Sequence, residues 1–318
     1  MRVFVAGASG AIGTRLVPQL IDRGHEVVGT STSPERAERI RALGATPIVL
    51  DLLDPRAVRA AVLEARPDAI VHQATALADV NFSRNLDRSF VETNRLRREG
   101  TDALVAAGRE AGVSRFVTQS FASMRFARTG KWVKGEEDAL DPDPLPGMRE
   151  TSAAMTYLEE ATTATGGIAL RYGLFYGADN DGLVGPVLKR QFPIVGDGSG
   201  MSSFIHLEDA AAATVLTLEH EGPAIYAIVD DEPAPAREWL PVVAEALGAK
   251  SPRRVPPWLA KLFAGEVGVM LGTEARGASN AKAKRELGWT LRYPSWRQGF
   301  AAAYAPVRAS TTQRASSG

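Results

Sequence analysis

Directly after an apolar run at the amino terminus stands Gly7-Ala8-Ser9-Gly10-Ala11-Ile12-Gly13, three glycines spaced three apart, and a helical pattern follows at once. Glycines let a backbone approach a pyrophosphate closely, and a helix N-terminus offers it N–H groups and a favourable dipole. Gly7, Ser9, Gly10, Ala11, Ile12 and Gly13 are therefore expected to cradle a dinucleotide, a purely structural glycine turn being the other reading. The next apolar run ends in Thr30-Ser31-Thr32-Ser33, with Arg36 beyond, and no carboxylate closes it. An acid there would hold ribose hydroxyls and repel a 2′-phosphate. The hydroxyls of Ser31 and Thr32 with the Arg36 cation suit that phosphate, so NADP(H) is favoured over NAD(H). Ser33 also fits as the cap of a helix beginning at Pro34. His25, His72, His206 and His220 lack ligand spacing and there is no cysteine, so no metal site and no disulfide is expected.

These residues need a scaffold, and the first half supplies one. Short β-branched runs at 2–6, 26–30, 46–50, 69–71, 115–118 and 168–171 alternate with helical patterns at 11–23, 34–43, 55–65 and 86–111. Such alternation predicts an α/β fold, a doubly wound parallel Rossmann sheet with right-handed crossovers. A dinucleotide-binding domain is expected over 1–172. Residues 173–304 are expected to form mainly a smaller C-terminal α/β substrate-facing domain, with elements at 204–206, 225–229, 236–247 and 256–263 and some segments returning to the sheet. The small, polar, aperiodic stretch 305–318 is expected to be disordered. The proline-, glycine- and acid-rich stretch 121–147 predicts a loop, either a cover for substrate or a plain surface excursion. With 37 basic and 37 acidic residues, no nucleic-acid partner is expected. No apolar run is long enough for a membrane span and no signal pattern opens the chain, so a cytoplasmic protein is expected.

Further motifs follow in order. Asp51-Leu52 ends the third run, His72-Gln73-Ala74 follows the fourth, and Asn94 precedes Gly100-Thr101. Near the other end stand Phe204-Ile205-His206-Leu207-Glu208-Asp209-Ala210 and Asn280 to Lys284 with Glu286-Leu287-Gly288-Trp289. From residue 7 to about 303 the chain resembles the extended and atypical short-chain dehydrogenase/reductases, the NAD-dependent epimerase/dehydratase-like proteins. The resemblance implies that Asp51, beside Leu52, contacts adenine, that Gln73 and Ala74 form the wall beside the ribose, and that Asn94 is the family's helix-four asparagine. Ala169 to Gly177 resembles the family's turn near the nicotinamide, with Tyr172 in place of a proline, implying a stacking or wall role.

The catalytic pattern departs from the family. Active members use Tyr-x-x-x-Lys, in which the ammonium lowers a tyrosine pKa that is otherwise about 10, together with a Ser or Thr ending strand five. Here Ser120 ends that run, or Phe121 if the register shifts by one. Tyr157 is the tyrosine of the expected helix, but Ala161 follows it where lysine should stand. If the usual spacing holds, Thr151 and Met155 occupy the two positions. Ser120, Thr151 and Tyr157 are the catalytic candidates, with water, Lys131 or Lys134 as other proton sources. Losing a general acid slows such chemistry by about 10²- to 10⁴-fold without forbidding it.

The resulting expectation is an NADP(H)-dependent oxidoreductase of an apolar or aromatic carbonyl or alcohol, bordered by Trp132, Met201, Phe204 and Trp258. The alternatives are an epimerase, dehydratase or other lyase or isomerase using the dinucleotide non-consumptively, or a non-catalytic NADP(H)-sensing protein. A homodimer through Val91, Leu96, Leu104 and Leu158 is possible, these residues otherwise packing on the sheet.

Overall fold

The structure, a computed structural model, describes residues 1–77, 85–177 and 182–316. Seven parallel strands form one sheet: β1 Arg2–Ala6, β2 Glu26–Ser31, β3 Thr46–Val49, β4 Ala69–His72, β5 Arg115–Phe121, β6 Ile168–Tyr172 and β7 Ala224–Ile228, in the order β7-β6-β5-β4-β1-β2-β3. The chain winds outward from β1 to one side and then from β4 to the other, so the topological switch point lies between these two strands.

Side chains alternate across the strands and both faces are covered. Val3 and Val5 meet Leu16, Val17 and Leu20 of helix α1 (Gly13–Asp22). Phe4 and Ala6 meet Val58 and Val62 of α3 (Pro55–Ala65) and Leu104 and Ala107 of α4 (Thr101–Glu110). Burying each such side chain contributes about 1.5–3 kcal/mol. Pro34 opens α2 (Pro34–Ala42), capped by Ser33, and Pro55 opens α3, capped by Asp54. Pro47 is tolerated because β3 is an edge strand, where a missing N–H need not break a ladder.

Helix α5 (Arg149–Ala164) precedes β6. After β6, Leu174–Tyr176 pairs in parallel with Phe204–His206, α6 (Leu207–Thr217) returns to the α1 face, where Leu207, Ala210 and Ala211 join the core, and β7 completes the sheet. A second core gathers Tyr176, Phe204, Trp239, Trp296, Phe300 and Tyr304.

Several elements differ from expectation. Residues 86–111 are not one helix but Leu86–Ser89, Val91–Arg95, a π-helical turn at Leu96–Gly100 and then α4. Within 121–147, Val133–Lys134 pairs with Gly277–Ala278, tying this loop to the C-terminal half. The helix expected at 256–263 is α7 (Pro257–Thr273), bent where Gly265 adopts φ 68°. The expected disordered tail instead continues a helix, Trp296–Ser316, since Tyr304 and Val307 pack on the second core and the alanines favour helix. Residues 317 and 318 lie outside the described residues. Leu104 and Leu158, considered for a dimer face, are buried within the fold.

Candidate active site

The glycine loop is shaped by close approach. Gly7 has φ +87°, and a Cβ on it would stand 2.7 Å from the Ala74 Cα, so the loops after β1 and β4 pass at backbone contact. A Cβ on Gly13 would collide with the Ala8 carbonyl. Gly10 N donates to the Gly7 carbonyl at 3.0 Å. Ser9 is half-buried, Gly10 and Ala11 are exposed, and Ile12 is buried against the sheet. No side chain caps the first turn of α1, which leaves helix N–H groups for an anion. A cradle that any β-carbon would fill, at an uncapped helix start, fits a pyrophosphate.

At the end of β2 the Ser31 hydroxyl donates to the Ser33 carbonyl at 2.9 Å, while Ser33 Oγ accepts from Arg36 N at 3.4 Å. Thr32 and Arg36 are exposed. Glu35, which the sequence reading passed over, sits on the same turn, where a backbone N–H and then the Ser33 hydroxyl hold its carboxyl below the usual range. A cation and a carboxylate therefore stand together here. Asp51 is exposed and accepts from Leu53 N at 2.9 Å, beside buried Leu52.

Gln73 N donates to the Ala6 carbonyl at 2.8 Å, which aligns the β4 loop with the glycine loop. Its side-chain amide donates to the Tyr172 hydroxyl at 3.2 Å. Tyr172, expected to stack on or wall the nicotinamide, faces the core instead. It is fully buried, hydrogen-bonded to Thr214 at 2.6 Å, and burial pushes its phenol up to about 12. The strand pleat explains this, since Tyr172 shares the inward face with Ile168 and Leu170.

Helix α5 carries two of the catalytic candidates, Thr151 and Tyr157. Asp87 accepts from Glu150 N at 3.2 Å and Thr151 N at 2.8 Å, fastening the helix start. Thr151 Oγ accepts from Asn94 Nδ2 at 3.2 Å, and Asn94 Oδ1 accepts from Arg97 Nη1 at 3.2 Å. Thr151, Met155 and Glu159, spaced four apart, are all buried. Glu159 takes Arg171 Nε at 3.0 Å and Nη2 at 2.8 Å, the Ser120 hydroxyl at 2.5 Å, and Arg125. Burial would raise the Glu159 pKa, but the two guanidiniums prevail and hold it below the usual range.

Ser120 is thus turned into an ion cluster rather than joined to Thr151, since eight residues separate Thr151 from Glu159, about 12 Å along a helix. Tyr157 lies on another face of α5, 39% exposed, and donates to Asp102 at 2.7 Å. It stands apart from the Thr151 group, because the residue two positions after Met155 faces sideways on a helix. Lys134 donates to the Thr129 carbonyl at 2.8 Å. Arg97 and Arg125 were missed in sequence. The three-residue step from Asn94 to Arg97 was the available signal for a shared helix face.

Beside Met148, three positions before Thr151, an apolar cluster of Leu86, Phe90, Met148, Val267 and Met270 takes in Leu77, Met124 and Leu145. It adjoins a small hollow of about 10 Å³, lined by Met124, Phe126, Met148 and Met270 with Arg128 and Arg276. Arg276 stacks over Trp132 at 4.0 Å. Phe204 instead lies in the second core against Trp239, Met201 is half-buried and Trp258 is 67% exposed. Among the described residues no helix is long and apolar enough to cross a membrane, and no group of three or more side chains could hold a metal ion.

Comparison with known proteins gives four matches of weight. The model of the NAD dependent epimerase/dehydratase family matches residues 3–228. The chain is 41% identical over 308 residues to a 3-diazoavenalumate denitrifying reductase of a Streptomyces species, covering 94% of this chain and 99% of the relative. It is 30% identical over 272 residues to a 2-alkyl-3-oxoalkanoate reductase of Stenotrophomonas maltophilia, covering 78% and 76%. The UDP-glucose 4-epimerase of Thermus thermophilus, solved in complex with NAD, superposes with a TM-score of 0.72 at 26% identity, covering 97% of this chain and 99% of that one.

Proposed function

The chain belongs to the NAD dependent epimerase/dehydratase family, and from that premise we propose that it reduces an apolar or aromatic acceptor with NADPH, at a site centred on Thr151. That it is an NAD(P)-dependent oxidoreductase follows from the reductases it matches along most of its length. The glycine loop, Asp51, Gln73 and Ala74 would hold the dinucleotide. When bound, the dinucleotide supplies the hydride and is itself oxidised.

The observation that carries the reading is the Thr151–Asn94 hydrogen bond at 3.2 Å with Met155 one turn on, the positions that a tyrosine and a lysine occupy if the family's usual spacing holds. An epimerase cycle must remove a proton from an alcohol and later return it, which calls for a group that titrates near neutral pH. A threonine hydroxyl does not. Net reduction needs only that charge gathering on the acceptor be stabilised, so one-way reduction is favoured. The apolar cluster from Leu86 to Met270 supports an apolar or aromatic acceptor. The 41% identity to a diazo-substrate reductase favours a second acceptor class, an aromatic diazo compound, whose reduction expels nitrogen and leaves no alkoxide to protonate.

NADPH is preferred over NADH in this reading because Thr32 and Arg36 lie exposed at the end of β2, although Glu35 stands beside them. Titration following the fluorescence of the reduced nicotinamide tests it. NADPH should bind roughly tenfold tighter, about 1.4 kcal/mol, and Arg36→Ala should erase the difference. Mixed with aromatic ketones, quinones and diazo compounds, the protein should consume NADPH in step with product. Conversion without net consumption would move the assignment to an epimerase or lyase, and binding without turnover on any acceptor would leave a sensing protein.

A further inference from the structure

Arg97 is 6% exposed, and no carboxylate lies within ion-pair distance of it among the described residues, since the nearby Glu159 pairs with Arg125 and Arg171. Burial and then the neighbouring Arg125 lower its pKa to about 10, so it remains cationic at neutral pH. An unpaired charge in the interior is costly and calls for a reason.

The hydrogen bonds supply one. A guanidinium has donors only, so the Asn94 amide must turn its oxygen to Arg97 Nη1, at 3.2 Å. The amide nitrogen is then forced toward Thr151 Oγ, also at 3.2 Å. With its oxygen accepting from Asn94, Thr151 keeps its own O–H proton for another partner. Asn94 is 9% exposed and Thr151 2%, so water has little access to reverse this order.

Resting on the reductase reading above, we propose that Arg97 is a positioning residue that fixes the polarity of an Arg97–Asn94–Thr151 chain, making Thr151 the hydrogen-bond donor to an acceptor's developing oxyanion. As the carbonyl carbon gains hydride, the carbon–oxygen π pair moves onto oxygen. The Thr151 hydroxyl and the unpaired cation behind it stabilise that charge, and the oxygen then takes its proton from water. A fixed charge that does not titrate near neutral pH thus stands in for a proton-transferring pair.

Asn94→Asp is the discriminating variant. Its carboxylate would pair with Arg97 and draw the Thr151 proton to itself, so the fold should keep or raise its unfolding midpoint while the donor is lost. With an aromatic 1,2-diketone as probe, Asn94→Asp and Thr151→Val should each lower kcat by about 10²- to 10³-fold, the scale for one oxyanion donor, with little change in KM. Thr151→Ser should retain most of the rate. A second readout needs no turnover: 4-nitrophenol bound in the presence of NADP⁺ should ionise at least one pH unit below its value in water, and Asn94→Asp should abolish the shift. Unchanged kcat in Asn94→Asp, or nitrophenol that binds without a shift or not at all, overturns the proposal. A wild-type protein that lowers the nitrophenol pKa yet reduces no acceptor keeps the donor and overturns the reductase reading alone.

Discussion

At the scale of single residues, the glycines were legible in the sequence because only they satisfy the backbone they occupy. Gly7 combines φ +87° with a projected Cβ contact of 2.7 Å to Ala74. Gly7→Ala should therefore weaken dinucleotide binding at least tenfold by fluorescence titration, and binding within twofold of wild type would place the pyrophosphate elsewhere. Tyr157 shows the opposite case. Its residue type suggested proton transfer, but its hydroxyl meets the Asp102 carboxylate on an exposed face, where the acceptor raises the phenol pKa. Tyr157→Phe should leave kcat within twofold and stability within about 1 kcal/mol, the range for exposed polar contacts. A tenfold fall in kcat would return Tyr157 to the catalytic group. Arg97 and Arg125 could not be recognised from type alone, because an arginine in a helix is ordinarily solvated and only the fold reveals that these two are not.

At the scale of elements, the strands were readable because both faces of a parallel sheet are covered, so each strand is a short apolar run between helical patterns. The stretch 86–111 was not. Its helical spacing hid a π-helical turn at Leu96–Gly100, and such turns are frequent at functional sites. Helix α5 was located in sequence, but its working face is decided by what β5 and β6 present to it. Glu159 ties the helix to both strands through Ser120 and Arg171. Glu159→Gln would leave buried guanidiniums without a counter-charge and should cost about 3–5 kcal/mol in urea unfolding. Ser120→Ala removes one hydrogen bond and should cost about 0.5–1.5 kcal/mol. Equal and small losses for the two would mean that the cluster is not what fastens α5 to the sheet.

At the scale of the whole molecule, buried titratable groups in both halves set how stability responds to pH. His72 lies beneath the β4 loop and His206 caps α6 and stacks on Tyr293 at 4.0 Å, and burial pushes both down to about 4 from 6.5. Their folded pKa values lie below the unfolded ones, so the unfolded chain takes up protons first. Their contribution is present above about pH 6.5 and is lost as pH falls toward 4. Asp230 runs the other way: burial raises it to about 8 from 3.8, despite hydrogen bonds from Glu232 N and Trp296 N. Its contribution is present below about pH 4 and is lost as pH rises through 8. The unfolding free energy should therefore peak near pH 6.5, where the gain from the two histidines ends and the loss from Asp230 continues. On the acid limb each histidine should add a slope of up to about 1.4 kcal/mol per pH unit. Urea unfolding from pH 4.5 to 9 measures this directly. His206→Asn, which keeps a side-chain cap for α6, should flatten the acid limb alone, whereas Asp230→Asn should flatten the alkaline limb and steepen the acid one, because Asp230 opposes the histidines between pH 4 and 6.5. Loss of both limbs in either variant would show that His206 and Asp230 titrate as one group, contrary to their separate partners, the Tyr293 ring and the Trp296 backbone N–H.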